Sequence, residues 1–187
     1  MAMKKYNYCL CGIAAMALVF TATPAWAKLP LEVGDTAPIF TAQDQDGTKW
    51  KLKDDIGRNI VLLYFYPKDN TPGCTAEACG FRDKLTDLKQ KGVDVVGVSF
   101  DNADSHKQFI FKYNINFPLL VDTNGKIADA YGTRRSAGRN MDRRVSFLIA
   151  LDGKIFHITD SPDAAVHLSE MQQAIAQLEK IDKTSSP

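Results

Sequence analysis

The chain has 187 residues, 45% of them hydrophobic, and a formal charge of +1 from 23 basic and 22 acidic side chains. So even a balance gives no electrostatic case for nucleic acid or an anionic membrane surface as a partner. The length suits one domain with a sizeable core.

Lys4 and Lys5 precede an apolar stretch from Leu10 to Phe20, and Thr-Ala-Thr-Pro-Ala-Trp-Ala then ends in the small-x-small pattern read by a signal peptidase. The pattern predicts a signal peptide over residues 1–27, cut after Ala27, and export to the periplasm. The apolar core is shorter than the roughly 20 residues that span hydrocarbon, which argues against a retained anchor, so no membrane association is expected after cleavage. Tyr8-Cys9-Leu10-Cys11 lacks the small residues of a lipoprotein site. Cleavage would leave Lys28 to Pro187 with a charge of −1 and two cysteines, Cys74 and Cys79. One close thiol pair in an exported protein invites a disulfide, either structural or reactive.

Ile60 to Tyr66, Val93 to Phe100, Leu119 to Val121 and Val145 to Ala150 are runs rich in β-branched and aromatic residues. Their apolarity is continuous rather than alternating, which predicts strands covered on both faces. Helical patterns lie between them: Phe81, Leu85 and Leu88, then Ala103 to Tyr113, then a short one from Ile127 to Tyr131. Ile155 to Ile158 follows Asp152-Gly153 closely enough to form a hairpin with the preceding strand. A last helix carries Leu168, Met171, Ile175 and Leu178 on one face, before a polar tail from Lys183 to Pro187. The order predicts a single α/β layer domain, residues 28–187, with a mixed sheet.

Pro67 ends the first strand, and Thr71-Pro72 reads as a helix start, with Thr71 as N-cap and Pro72 at the first helical position. Cys74 then falls in the first turn, where free backbone N–H groups and the helix dipole favour a thiolate. The crevice beyond the carboxyl ends of strands is also where open α/β sheets bind ligands. In an intact helix, residues five apart have Cα atoms roughly 8.6 Å apart, whereas a disulfide needs less than about 7 Å. Bonding Cys74 to Cys79 would therefore unwind the first turns. That favours a redox pair over an inert staple, and Gly80 weakens the helix just beyond by about 1 kcal/mol relative to alanine. Thioredoxin-type exchange wants two residues between its thiols rather than four. Zinc lacks ligands, since His106, His157 and His167 are scattered, and we read these histidines as ordinary surface or core residues. No metal or cofactor is expected.

Pro67-x-x-x-Thr71-x-x-Cys74 matches the active-site motif of peroxiredoxins, and YFYPKDNTPGCTAEACGFRD closely resembles their peroxiredoxin Q, or bacterioferritin comigratory protein, branch. The resemblance extends to Val33 to Phe40, to Asp44-Gln45-Asp46-Gly47 with Leu52, to Val93 to Ser99, and to Arg144 to Ile149. It implies a thioredoxin-like fold, a mixed central sheet flanked by helices, with an N-terminal hairpin as elaboration. It also implies reduction of hydrogen peroxide and organic hydroperoxides, with recycling by a thioredoxin-like reductant. Cys74 would be the peroxidatic cysteine and Cys79 the resolving one, joined in an intramolecular disulfide. Thr71 would contact the peroxide and hold the thiolate through its hydroxyl while its oxygen caps the helix, and Pro67 would shield the sulfur. Arg144 has a physical case of its own, because a permanent cation near Cys74 stabilises the thiolate and the charge on the leaving oxygen. Strand alternation puts Arg143 and Arg144 on opposite faces, so only one can enter the site, and the resemblance selects Arg144, which fits the family position. Arg134, Arg135 and Arg139 read as a solvated loop. Glu77 matches a Glu or Gln position of the family. Between Gly132 and Arg144 the segment TRRSAGRNMDR is shorter and more basic than its counterpart in close relatives. The chain is expected to be a monomer. The alternative is a redox-sensing or binding module with the same reversible disulfide and no turnover.

Overall fold

The computed structural model describes residues 30–136 and 138–185. The leader and its cysteines lie outside the described residues. In chain order the elements are β1 (Thr41–Gln43), β2 (Lys49–Lys51), α1 (Leu52–Asp55), β3 (Ile60–Phe65), α2 (Pro72–Gln90) and β4 (Val93–Ser99). They continue with α3 (Ala103–Tyr113), β5 (Leu119–Val121), α4 (Lys126–Tyr131), β6 (Val145–Ile149), β7 (Ile155–Asp160) and α5 (Ala164–Ser185). β1 and β2 form the expected small antiparallel hairpin, and the central sheet runs β5-β4-β3-β6-β7. β3, β4 and β5 are parallel, while β6 and β7 are antiparallel to their neighbours, so the sheet is mixed.

The continuous apolarity of β3 has a simple cause. Leu62, Tyr64 and Tyr66 join one core with Phe81, Leu85 and Leu88 of α2, Phe109 of α3, and Met171 and Ile175 of α5. Val61, Leu63 and Phe65 join a second core on the other face with Ile127 and Tyr131 of α4, Phe147 of β6 and Leu52. A strand covered on both sides has no face for polar residues. Tyr131 also donates its hydroxyl to the Pro38 carbonyl at 3.0 Å, tying α4 to the N-terminal segment.

One boundary differs from the sequence reading. α5 runs on through 185, past Lys183, where the sequence reading began the polar tail, with Thr184 Oγ1 donating to the Lys180 carbonyl at 2.7 Å. Polar composition does not end a helix that lacks a proline or glycine stop. Gly80 also has a role beyond weakening α2, because it is where α5 crosses. A Cβ there would lie 2.3 Å from Leu168 Cδ1 and 2.8 Å from Cδ2. We expect Gly80→Ala to gain about 1 kcal/mol of helix propensity and to lose more than that, within the usual 1–3 kcal/mol of overpacking, as Leu168 is displaced. Urea unfolding of the variant should therefore show a net loss of about 1 kcal/mol.

Candidate active site

β3 delivers the chain to Pro67, and the next four residues turn it into α2. That turn is held from below by a buried polar cluster. Asp69, 4% exposed, accepts hydrogen bonds from Tyr66 Oη at 2.7 Å and Ser105 Oγ at 2.7 Å, and His106 Nδ1 lies 2.9 Å from its Oδ2. The Asp69 N–H donates to Asp101 at 2.9 Å. Asn70 takes the left-handed conformation, φ 59°, which asparagine tolerates better than most residues. His106 is thus a core histidine, as the sequence reading had it, but one that braces the loop carrying the motif.

Thr71 occupies the N-cap position with extended backbone, φ −87° and ψ 149°, and Pro72 opens the helix. The side-chain part of the expectation is not met. Thr71 caps no backbone N–H; its hydroxyl donates to the Lys68 carbonyl at 3.0 Å. One hydroxyl proton serves one acceptor, so in this structure Thr71 does not hold the Cys74 sulfur. The local carbonyl three residues back is the nearer competitor, a habit of threonine at turns.

Cys74 and Cys79 are both free thiols in the unbroken α2, Cys74 buried and Cys79 partly exposed. This matches the argument that an intact helix keeps them apart. Arg144, next to the start of β6, is 8% exposed and reaches across to α2. Its Nη2 stands 3.4 Å from Cys74 Sγ, its Nη1 donates to Glu77 Oε2, and its Nε donates to the Pro162 carbonyl at 3.2 Å. Burial alone would lower the Arg144 guanidinium, but Glu77 and Cys74 facing it reverse the direction and hold it above its ordinary value. The approach needs Gly73, where a Cβ would stand 3.0 Å from Arg144 Nη2. Arg143 points the other way, to Asp160 and to the Gly132 carbonyl at 3.0 Å, as strand alternation predicted. Among the remaining arginines, Arg134 pairs with Asp129 at 2.5 Å and covers the Phe100 ring.

Glu77 is fully buried, and burial pushes its carboxyl up to about 7 against the pull of Arg144. Its Oε1 makes no hydrogen bond among the described residues, and lies 3.5 Å from His167 Nδ1. His167 is buried too, with Ser146 Oγ 2.7 Å from Nδ1 and the Ser161 carbonyl 2.9 Å from Nε2. Sequence reasoning missed this second layer. Its members come from α2, β6 and α5, and no spacing along the chain relates them.

A cavity of about 300 Å³ opens beside the site, lined by Pro67, Arg135, Asp142, Arg143, Arg144 and Pro162 among others. Arg144 therefore lines the cavity and touches the sulfur. The short basic segment forms the cavity wall: Asp142, its carboxyl pushed up to about 7 by burial, accepts from Thr133 Oγ1 at 2.7 Å. No cluster that could hold a metal occurs among the described residues. None of the described helices is long and apolar enough to cross a membrane.

A buried thiol in the first turn of a helix, faced by a buried guanidinium beside a small cavity, defines a thiol peroxidase on a thioredoxin-type fold. The chain belongs to the AhpC/TSA family, whose model matches residues 33–158. Within that family it falls in the peroxiredoxin Q, or Bcp, branch. It is 43% identical over 143 residues to "Peroxiredoxin Bcp" of Escherichia coli (strain K12), covering 74% of this chain and 91% of that one. It is 37% identical over 156 residues to "Peroxiredoxin Q, chloroplastic" of Oryza sativa subsp. japonica, covering 77% and 71%. Among solved structures, peroxidoxin BcpB of Mycobacterium tuberculosis superposes with a TM-score of 0.73 at 33% identity, covering 81% of this chain and 98% of that one. Xanthomonas campestris peroxiredoxin Q gives 0.67 at 28% identity, covering 74% and 90%. The protein is an oxidoreductase acting on peroxides, with a thioredoxin-like reductant as the family's partner.

Proposed function

We propose that Cys74 is the peroxidatic residue and that Cys79 resolves it. The Cys74 thiolate attacks the terminal oxygen of the hydroperoxide, the S–O bond forms as the O–O bond breaks, and the alcohol or water leaves after taking a proton. Cys74 is oxidised to a sulfenic acid as the peroxide is reduced. The Cys79 sulfur then attacks Cys74, an S–S bond forms, and water leaves with the hydroxyl oxygen. A dithiol reductant returns both cysteines to thiols by exchange. The observation that carries this reading is Arg144 Nη2 at 3.4 Å from Cys74 Sγ, a fixed cation placed where negative charge rests on sulfur and then passes to the leaving oxygen. Pro67, which shares the cavity wall with Arg144, limits solvent access to the sulfur. Thr71 takes part in peroxide binding only if its hydroxyl leaves the Lys68 carbonyl when the substrate enters.

We further propose that the chain works as an exported monomer in the periplasm after loss of residues 1–27, with no attachment to the membrane. The oxidising periplasm then calls for a dedicated thioredoxin-like electron donor. The leader pattern in the sequence supports this, and intact mass of the protein from a periplasmic fraction should correspond to a chain beginning at Lys28. Repeated turnover of hydrogen peroxide with a thioredoxin-like reductant tests the enzymatic reading. Oxidation of Cys74 no faster than that of free cysteine would overturn it, and rapid oxidation without turnover would favour the sensor.

A further inference from the structure

Behind Arg144 the site continues into a group that the peroxide chemistry does not use. His167 Nε2 faces the Ser161 carbonyl at 2.9 Å, an atom that only accepts, so Nε2 carries the hydrogen. Burial first, and Arg144 in addition, hold His167 below its ordinary value, so the ring is neutral and Nδ1 presents a lone pair. Two groups converge on that lone pair: Ser146 Oγ at 2.7 Å and Glu77 Oε1 at 3.5 Å, the latter a buried oxygen without a hydrogen bond. A lone pair accepts one strong hydrogen bond at a time, and an orphaned buried oxygen calls for an explanation.

We propose that His167 is a positioning residue of the peroxidase site. Its Nδ1 lone pair is contested between the Ser146 hydroxyl and a proton on Glu77 Oε1, and the winner decides whether Arg144 faces a carboxylate or a neutral acid. In one state Glu77 is a carboxylate, Ser146 donates to Nδ1, and the guanidinium charge is partly neutralised from behind. In the other, a proton from solvent sits on Oε1 and is donated to Nδ1, Ser146 turns away, and the full Arg144 charge is directed at Cys74. One proton is taken up and no electrons move. The groups facing Glu77 are Cys74 on its own helix, Tyr64 of β3, Arg144 and His167, with Asp160 and Glu170 acting on His167. Burial, with the negative charges around it, keeps Tyr64 protonated, so it does not exchange charge with the pair. The carboxyl value of about 7 for Glu77 places the change within the working range of a neutral compartment.

The proposal rests on Arg144 acting upon Cys74, and its test separates the two claims. Infrared difference spectra of the reduced protein, titrated with acid, should show a neutral carboxyl band that Glu77→Gln removes; the Asp142 band remains as an internal reference. Ser146→Ala frees the lone pair and should move the midpoint of the Glu77 band up by about half a pH unit or more, while His167→Leu removes the acceptor and should move it down. The pH profile of Cys74 oxidation by hydrogen peroxide should move in the same directions, and its component near neutral pH should vanish in Glu77→Gln. A purely structural His167 would lower the rate without moving either midpoint. If His167→Leu does not fold, Ser146→Ala alone decides, since no upward movement of its band overturns the proposal. Band shifts without matching shifts in the rate profile overturn the link to Arg144. Slow oxidation of the wild type would sink the peroxidase reading and leave the carboxyl titration standing.

Discussion

Arg144→Ala is expected to slow the second-order oxidation of Cys74 by hydrogen peroxide by about 10²–10³-fold, the usual cost of removing one fixed donor from a developing oxyanion. Two effects combine in that loss. The Cys74 sulfur loses the cation 3.4 Å away, and the leaving oxygen loses the group that would receive its charge. Stability should fall less than a broken buried ion pair implies, because Glu77, already pushed up to about 7, can take a proton rather than remain an uncompensated buried charge. The sign of its pH dependence follows from that value. A carboxyl that binds its proton more tightly when folded contributes stability at low pH and loses it as pH rises from about 4.5, its unfolded value, to about 7. Arg144→Lys keeps a charge but not the planar fork that meets Cys74, Glu77 and the Pro162 carbonyl together. Its rate should lie between those of the wild type and the alanine variant. Stopped-flow oxidation at several pH values, with thermal unfolding alongside, checks both parts; an alanine variant that oxidises at the wild-type rate would remove Arg144 from the mechanism.

The second large effect is expected for Cys79→Ser. Its first oxidation should match the wild type, because Cys79 is a separate free thiol, five residues along the intact helix from the reacting sulfur. The reaction should then stop, with a mass gain of one oxygen on Cys74 that a sulfenic-acid reagent captures. Further peroxide should add a second oxygen irreversibly. Turnover with a dithiol reductant such as a thioredoxin should be lost. Normal cycling would show that a different group resolves Cys74.

The parts of this site that could be read from the chain are the local ones. A helix start at Thr71-Pro72 follows from two residues and their stereochemistry, and it puts Cys74 where it is found. The choice of Arg144 over Arg143 agrees with the period of a strand, since the two side chains do leave the backbone in opposite directions. Two-sided apolarity of β3 foretold the two cores on either face of the sheet. What could not be read is set by contacts between distant segments. His106 reaches Asp69 from 37 residues away, and His167 meets Ser146 from 21. Nothing in the neighbourhood of either histidine marks it as part of a site. The Tyr66 and Asp69 pair, three residues apart around Pro67, is the one clue within the motif itself. The side-chain cap expected of Thr71 is absent for a different reason: residue type gave its position in the helix, but the direction of one hydroxyl hydrogen depends on which carbonyl the turn brings near.

The central claim is that Cys74 waits reduced, apart from Cys79, inside a formed helix that opens only after oxidation. The direct measurement is amide hydrogen exchange across residues 72–82 of the fully reduced protein before and after one equivalent of hydrogen peroxide, with intact mass read on the same samples. The first turns of α2 should be protected in the reduced protein, and the peroxide should be consumed within the mixing time. Loss of two hydrogens from the mass should then coincide with loss of that protection. A disulfide that forms while the protection stays unchanged, or a Cys74 that survives the equivalent of peroxide as an ordinary thiol, would contradict the account.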